Sequence, residues 1–368
     1  MTEPDDPRHL RQALALAARG LGRTWPNPAV GCVIVAGTRV VGRGWTQPGG
    51  RPHAEAMALE AAGGAARGAT AYVSLEPCAH HGRTPPCADA LVAAGVARVV
   101  VPMEDPDPRV SGRGLARLRE AGVDVVVDGR FRAAAEEINA GFFKRVREGR
   151  PLVTLKLATS VDGRIATATG ESKWITGPEA RRAVHLMRAQ HDAVLIGAGT
   201  ARADDPMLDV REMGLEGANP VRIVADGALS LPLTGRLAQT ARDVPLWILH
   251  REGVDPHRWQ GWESVGAELI ECRVDATGAL DPVDMLGQIG ARGVTRVMCE
   301  GGGRLAASLL HAGLIDRLVQ FQAGLTLGAS GLAGLGELGI ERLGDAPRAE
   351  LFSVHRIGAD TVAEWRFG

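Results

Sequence analysis

One imidazole and two thiols are spaced so that they could share a metal ion. His53-Ala54-Glu55 opens an apolar stretch of good helix formers, directly after Pro52. Pro77-Cys78 follows a β-rich run, and Cys87 comes after Pro85-Pro86, with eight residues between the two cysteines. Zinc takes nitrogen and sulfur donors in a tetrahedral array, and a catalytic site leaves the fourth position open for water. His53, Cys78 and Cys87 would supply the three donors. Glu55, two residues from His53, would reach the same pocket without ligating and would carry a proton from water to a leaving amine. His-x-Glu followed by Pro-Cys is the signature of the zinc nucleobase deaminases, whose usual second half is Cys-x-x-Cys. The longer gap here departs from that pattern and encloses His80 and His81, which are expected to face substrate or loop backbone. Asn27, in Pro26-Asn27-Pro28 before a strand, is a candidate substrate holder; the competing reading is a plain turn.

Chemistry at those positions needs elements that bring them together. Periodicity predicts a helix over Arg8–Gly22 and a hairpin of Ala29–Val35 with Arg39–Trp45. A helix over Ala54–Ala62, a strand at Ala69–Leu75 and a helix at Cys87–Ala94 follow. Then come a strand at Val96–Pro102, a helix at Gly112–Gly122, a strand at Asp124–Val127 and a helical stretch at Gly129–Ala140. Such alternation predicts an α/β sandwich. Gly149-Arg150-Pro151 punctuates the chain and a new strand begins at Leu152, so the domains are set at residues 1–147 and 148–368.

The second half alternates again. Strands are expected near Ala193–Ile196, Val221–Ala225, Leu246–Leu249, Val297–Cys299 and Arg317–Phe321, with helices near Pro178–Gln190, Asp281–Arg292 and Arg304–Ala312. Two strands run into glycine turns: Gly197-Ala198-Gly199-Thr200, and Glu300-Gly301-Gly302-Gly303 before the helix at Arg304. A strand, a glycine turn and a helix start make an anion site from free N–H groups and the helix dipole. The full Gly-x-Gly-x-x-Gly fingerprint is missing. Lys156 lies on a strand, where an inward charge must be paired. The Gly/Leu-rich stretch 324–344 reads as a long loop, a candidate ligand lid.

The chain has 368 residues, 45% of them hydrophobic and 23% charged, with a net charge of −1. That balance gives no footprint for duplex nucleic acid or a membrane surface. No apolar run reaches the ~20 residues of a membrane span. The polar, acidic start lacks the features of a signal peptide, so the expected location is cytoplasmic. Five cysteines are an odd number and suggest no disulfide framework; Cys32, Cys272 and Cys299 are expected as buried thiols.

The motifs resemble one family closely. Pro26-Asn27-Pro28-Ala29-Val30-Gly31, His53-Ala54-Glu55 and the run from Leu75-Glu76-Pro77-Cys78 through Gly82-Arg83-Thr84-Pro85-Pro86-Cys87 are similar to the bifunctional riboflavin-biosynthesis deaminase/reductase family, whose long Cys-to-Cys insert accounts for the spacing. The likeness continues through Lys156–Gly163, Ser172–Gly177, Gly197–Pro206 and Glu300–Leu305. It implies an N-terminal cytidine-deaminase-like α/β/α sandwich and a C-terminal dihydrofolate-reductase-like α/β domain. It implies two steps on a phosphoribosylated pyrimidine: hydrolytic deamination with one zinc ion per chain, then NADPH-dependent reduction of the ribose to a ribityl chain. A homo-oligomer without nucleic-acid or membrane partners is expected.

By matching position, the resemblance implies cofactor contacts at Ala158, Trp174, Thr200, Asp204 and Asp226, and along Gly302, Gly303, Arg304, Leu305, Ala306, Ala307 and Ser308. It implies substrate contacts at Ser172, Arg188, Leu208, Arg211 and Glu300, with Arg188 and Arg211 as donors to a 5-phosphate. A nucleoside- or transfer-RNA-editing deaminase with an accessory domain would share His53, Glu55 and Cys78, but it would bind RNA tightly and salt-sensitively. A non-enzymatic binding protein would have no need to keep Glu55, all three ligands and the glycine turns together.

Overall fold

The computed structural model describes residues 3, 5–79, 85–108, 110–215 and 217–368. His80 and His81 lie outside the described residues. The chain forms two compact units, Met1–Glu148 and Gly149–Gly368.

In the first unit the order is α1 (Asp6–Ala18), β1 (Gly31–Ala36), β2 (Arg39–Trp45), α2 (Ala54–Ala62), β3 (Thr70–Val73), α3 (Cys87–Ala93), β4 (Arg98–Val101), α4 (Arg113–Glu120), β5 (Asp124–Val127) and α5 (Arg132–Glu148). The sheet order is β2-β1-β3-β4-β5. The first three strands are antiparallel neighbours, and β3, β4 and β5 run parallel. Strand alternation divides the core. Val33 and Val35 join Leu10, Ala13 and Leu16 of α1 on one face. Cys32 and Ile34 join Ala54 and Ala58 of α2, Leu91 of α3 and Leu115 and Leu118 of α4 on the other. The result is the three-layer α/β/α arrangement.

Two glycines decide how close α2 comes. A Cβ at Gly42 would run into the Ala58 carbonyl and one at Gly44 into the Ala54 carbonyl. Their absence lets α2 lie directly on β2 and delivers its first turn, with His53 and Glu55, to the end of the sheet.

One buried ion pair ties α1 across the sheet. Arg98 on β4 donates to both oxygens of Asp6 at 2.8 and 2.7 Å, and the Tyr72 hydroxyl adds a bond of 2.9 Å. Burial alone would raise the Asp6 carboxyl. The Arg98, Glu3 N–H and Tyr72 hydrogen bonds outweigh it and hold it down at about 2.

The second unit comprises β6 (Leu152–Ser160), β7 (Arg164–Ala166), α6 (Pro178–Ala189), β8 (Ala193–Gly197), α7 (Ala198–Asp204), β9 (Val221–Ala225), α8 (Arg236–Gln239), β10 (Leu246–His250), α9 (Pro256–Ser264), β11 (Glu268–Glu271), α10 (Pro282–Ala291), β12 (Arg296–Cys299), α11 (Gly303–His311), β13 (Arg317–Ala323), β14 (Leu332–Ala333), β15 (Ala349–Ile357) and β16 (Asp360–Phe367). Its nine-stranded sheet runs β11-β10-β9-β8-β12-β6-β13-β16-β15. Strands β11 to β13 along that order are parallel, and β16 and β15 close it as an antiparallel hairpin. Cys32, Cys272 and Cys299 are buried thiols. The segment 324–344 carries only the two-residue β14, paired with β7, and one short 3-10 turn.

Two outcomes test the Asp6–Arg98 tie. Arg98→Ala strands a buried carboxylate, and should cost about 3–5 kcal/mol of the opening free energy of β3 and β4 amides in native-state hydrogen exchange. Breaking the exposed Arg117–Asp89 pair should cost at most about 1 kcal/mol. Because the Asp6 carboxyl is depressed in the folded state, its contribution is complete above the unfolded value of about 4 and fades as pH falls toward 2. Protection of α1 should therefore fall through that window, and Asp6→Asn should flatten the dependence.

Candidate active sites

In the first unit the sequence-distant ligands converge. His53 is the N-cap residue of α2, with extended backbone and a side chain not used for capping. Cys78 follows β3, and Cys87 is the first residue of α3. The His53 Nδ1 lies 3.2 Å from the Cys87 Sγ and 3.7 Å from the Cys78 Sγ, and the ligand atoms of all three lie within 4.8 Å of one another. Tetrahedral zinc with bonds of about 2.0–2.3 Å places its donors roughly 3.5–3.8 Å apart, so both spacing and donor chemistry fit a zinc ion. The Cys87 N–H points at the Cys78 Sγ at 3.4 Å.

The electrostatics suit the same ion. The Cys78 thiol is pulled down to about 4 by hydrogen bonding from Cys87 and His53, whereas the Cys87 thiol is pushed up by Cys78 and by burial. Neither sulfur ionises independently of the other. A divalent cation stabilises both as thiolates. Glu55 is buried in the first turn of α2, and burial, with Cys78 beside it, raises its carboxyl to about 7. Asn27 donates from Nδ2 to the Gly50 carbonyl at 3.0 Å, which fixes its side chain behind the cis-Pro turns.

In the second unit Thr200 follows the carboxyl end of β8, Glu300 and Gly302 follow that of β12, and Ala158 lies near that of β6, where open parallel sheets bind ligands. The Thr200 hydroxyl accepts from the Gly302 N–H at 2.9 Å, which locks the start of α7 to the turn before α11. The segment read as a glycine turn at 197–200 is the N-terminal turn of α7, with Gly197 as its N-cap. Along 302–308 the helix divides the run. Gly302 to Leu305 occupy the start of α11, where N–H groups lack intrahelical partners, whereas Ala306 and Ala307 are buried in the core and Ser308 lies one turn on. A Cβ at 301 would meet the Leu305 side chain and one at 302 the Thr200 hydroxyl, so glycine there lets the turn pack against α11 and α7. The segment 324–344 packs here: the Gly336 N–H donates to the Gly303 carbonyl at 2.9 Å, and Asp162 accepts from the Leu327 and Gly328 N–H groups.

Arg188 on α6 forks onto Glu300 at 2.6 and 3.0 Å and donates a third bond to the Asp209 carbonyl at 3.0 Å. Burial pushes Lys156 below its ordinary value while Glu300 pulls the other way, so the three form one buried charge cluster. Arg211 is half exposed and pairs with Asp209 at 2.8 Å. Leu208 is buried at a positive φ of 54°. Ser172 and Ala158 are half-buried, and Asp204 borders the Lys156 charge. Trp174 is 66% exposed, with the Arg181 guanidinium 4.7 Å from its ring centroid, and is not a core residue. Asp226 is buried, and its oxygens accept from Ser230 and the Leu231 N–H. Asp209 is central to this cluster and was not readable in advance, because its partners lie on α6, 21–24 residues away.

Comparison with known proteins agrees with both halves. Residues 4–103 match the cytidine and deoxycytidylate deaminase zinc-binding region, and residues 151–363 match the RibD C-terminal domain. The riboflavin biosynthesis protein RibD of Escherichia coli is 46% identical, over 96% of this chain and 97% of its own. The structure of Acinetobacter baumannii RibD superposes with a TM-score of 0.88 at 38% identity, covering 99% of both chains. That of a diaminohydroxyphosphoribosylaminopyrimidine deaminase/5-amino-6-(5-phosphoribosylamino)uracil reductase from Thermotoga maritima gives 0.84 at 32% identity, again with 99% of both covered. Fold and site thus define a fused deaminase and reductase, a cytidine-deaminase-like unit followed by a dihydrofolate-reductase-like one. The chain belongs to the RibD family of bifunctional riboflavin-biosynthesis enzymes.

Arg188→Met tests the buried cluster. It leaves Glu300 facing Lys156 alone and should cost about 3–5 kcal/mol of local stability around α6 and β12, read by native-state hydrogen exchange. Reductase activity should fall with it while deaminase activity stays within twofold.

Proposed function

We propose that residues 1–147 hydrolyse the amine of 2,5-diamino-6-(5-phosphoribosylamino)pyrimidin-4(3H)-one to give 5-amino-6-(5-phosphoribosylamino)uracil, and that residues 148–368 reduce the ribose of that product to a ribityl chain with NADPH. The observation that carries this reading is the His53, Cys78 and Cys87 cluster with buried Glu55 beside it, on one chain with the glycine turn at α11. The full-length likeness to the Thermotoga maritima deaminase/reductase supports the substrate.

His53, Cys78 and Cys87 would hold zinc, which when bound supplies the Lewis acidity that makes water a nucleophile near neutral pH. Glu55 takes the proton of the attacking water and delivers it to the departing amine: a C–O bond forms at the ring carbon, the exocyclic C–N bond breaks, and ammonia leaves. A buried carboxyl held near 7 suits a group that must both accept and donate. Asn27 holds the pyrimidine, and its own bond to Gly50 orients it.

In the second unit NADPH supplies the hydride when bound. The N–H groups of Gly303, Arg304 and Leu305 in the first turn of α11 hold its phosphates, with Gly302 and Thr200 setting that turn; Asp204 accepts from a hydroxyl of the cofactor, and Ala158, Trp174 and Asp226 line its path. Ala306, Ala307 and Ser308 support that turn from within the helix. Ser172, Arg188, Leu208, Arg211 and Glu300 receive the phosphoribosyl group. Because Arg188 is engaged by Glu300, Arg211 is the freer phosphate donor.

We take the chain to act in the cytoplasm as a homo-oligomer with no membrane partner; no helix among the described residues is long and apolar enough to cross a membrane. The edge strand β15 exposes Leu351, Phe352 and Val354 by 52–60%. Antiparallel pairing of two such strands about Ser353 sets Glu350 of each opposite Arg356 of the other, which supports a second copy as the occupant.

Two experiments test these readings. Glu55→Gln should lower deamination at least about a thousandfold, by removing the proton carrier, while NADPH oxidation on the deaminated intermediate is unchanged; loss of both would argue against separate sites. Leu351→Lys with Val354→Lys should reduce the mass seen by light scattering to that of a single chain, and an unchanged mass would exclude β15 as the contact.

A further inference from the structure

Glu76 lies in the motif between β3 and Cys78, and the chemistry above leaves it without a role. It is buried, and its carboxylate is saturated by four backbone donors from a different part of the chain. Oε2 accepts from the Asp105 and Gly112 N–H groups at 3.0 and 2.9 Å, and Oε1 from those of Gly114 and Leu115 at 2.8 and 3.2 Å. Gly112 is the N-cap of α4 and has no side chain to cap with, so Glu76 satisfies three orphan donors of that helix start from across the sheet. A second contact fixes the same seam. The Pro77 carbonyl sits where a Cβ at position 114 would be. On the other side Cys78 is held by α3, through the Ala88 N–H on its carbonyl and the Cys87 N–H on its sulfur.

We propose that Glu76 is a positioning residue for the deaminase step: it welds the Asp105 and Gly112 backbone and the start of α4 to the segment carrying Cys78, so that metal ligand and helix start move as one body. The coupling rests on His53, Cys78 and Cys87 being the metal ligands. It goes beyond capping, because a cap that only stabilised α4 would do so equally with and without metal. Coupling requires that occupancy at Cys78 tighten the amides of 105, 112, 114 and 115.

Hydrogen exchange of the intact wild-type chain, zinc-loaded and chelator-stripped, reads this directly. Peptides spanning 104–116 should exchange at least about tenfold faster without zinc; equal rates in the two forms would overturn the proposal. If the wild-type chain binds no zinc at all, the ligand assignment fails and the coupling with it. Glu76→Gln presents an amide NH2 to two of the four donors. It should weaken zinc binding by about 10- to 100-fold in competition with a chelator and alter the d–d spectrum of the cobalt(II)-substituted protein, while reductase turnover is unchanged. Glu76→Asp keeps the charge and should recover part of the affinity. A Glu76→Gln protein of lowered melting temperature but wild-type zinc affinity and cobalt spectrum would reduce Glu76 to a helix cap.

Discussion

Two thiols, an imidazole and a buried carboxyl gathered within a few ångströms are mutually unfavourable without a compensating positive charge. Burial raises the Glu55 carboxyl, and the Cys78 thiol is held low while that of Cys87 is held high, so one sulfur does not ionise readily beside the other. A divalent cation resolves it by letting both sulfurs ionise, so metal binding and the local fold are energetically one event. Much of the first unit serves this single constraint. Glycines at 42 and 44 bring α2 against β2, the end of β3 delivers Cys78, and the start of α3 delivers Cys87. The Asp6–Arg98–Tyr72 tie holds the opposite face of the sheet together, away from the site.

The second unit manages charge by another route. It sets one buried anion, Glu300, against the Arg188 guanidinium that forks onto it and against Lys156, so the anion is compensated by the chain's own cations. The turn before α11 is closed internally, with the Glu300 N–H on the Leu195 carbonyl and the Gly302 N–H on the Thr200 hydroxyl, so the donors that can face an anion are those of the first turn of α11 itself, from Gly303 on. One unit thus gathers donors suited to a cation, and the other offers a helix start suited to an anion.

The elements legible in the sequence were those whose signals are local. Helix α2 and strands β5 and β9 begin and end where periodicity places them, because Ala- and Leu-rich helical runs and short Val-rich strands carry their own pattern. The His53, Cys78 and Cys87 cluster was legible because a metal site restricts residue type as well as spacing. The hairpin of β15 and β16 was not. β15 is exposed along much of its length, so it lacks the apolar alternation that marks a half-buried strand, and its place is set by β16 and, through it, β13. The four-donor cradle around Glu76 was equally silent: a glutamate before Pro-Cys says nothing of amides 29 to 39 residues further on. Asp226 was marked only by the family likeness, and the bonds its oxygens accept from Ser230 and the Leu231 N–H in the following turn have no signal of their own in the sequence.

The metal centre is the claim on which most else turns, and X-ray absorption at the zinc edge of the intact chain measures it most directly. Two sulfurs at about 2.3 Å, one imidazole nitrogen at about 2.0 Å and one light oxygen scatterer are expected. A shell of four sulfurs, or one of nitrogen and oxygen alone, would contradict the assignment of His53, Cys78 and Cys87.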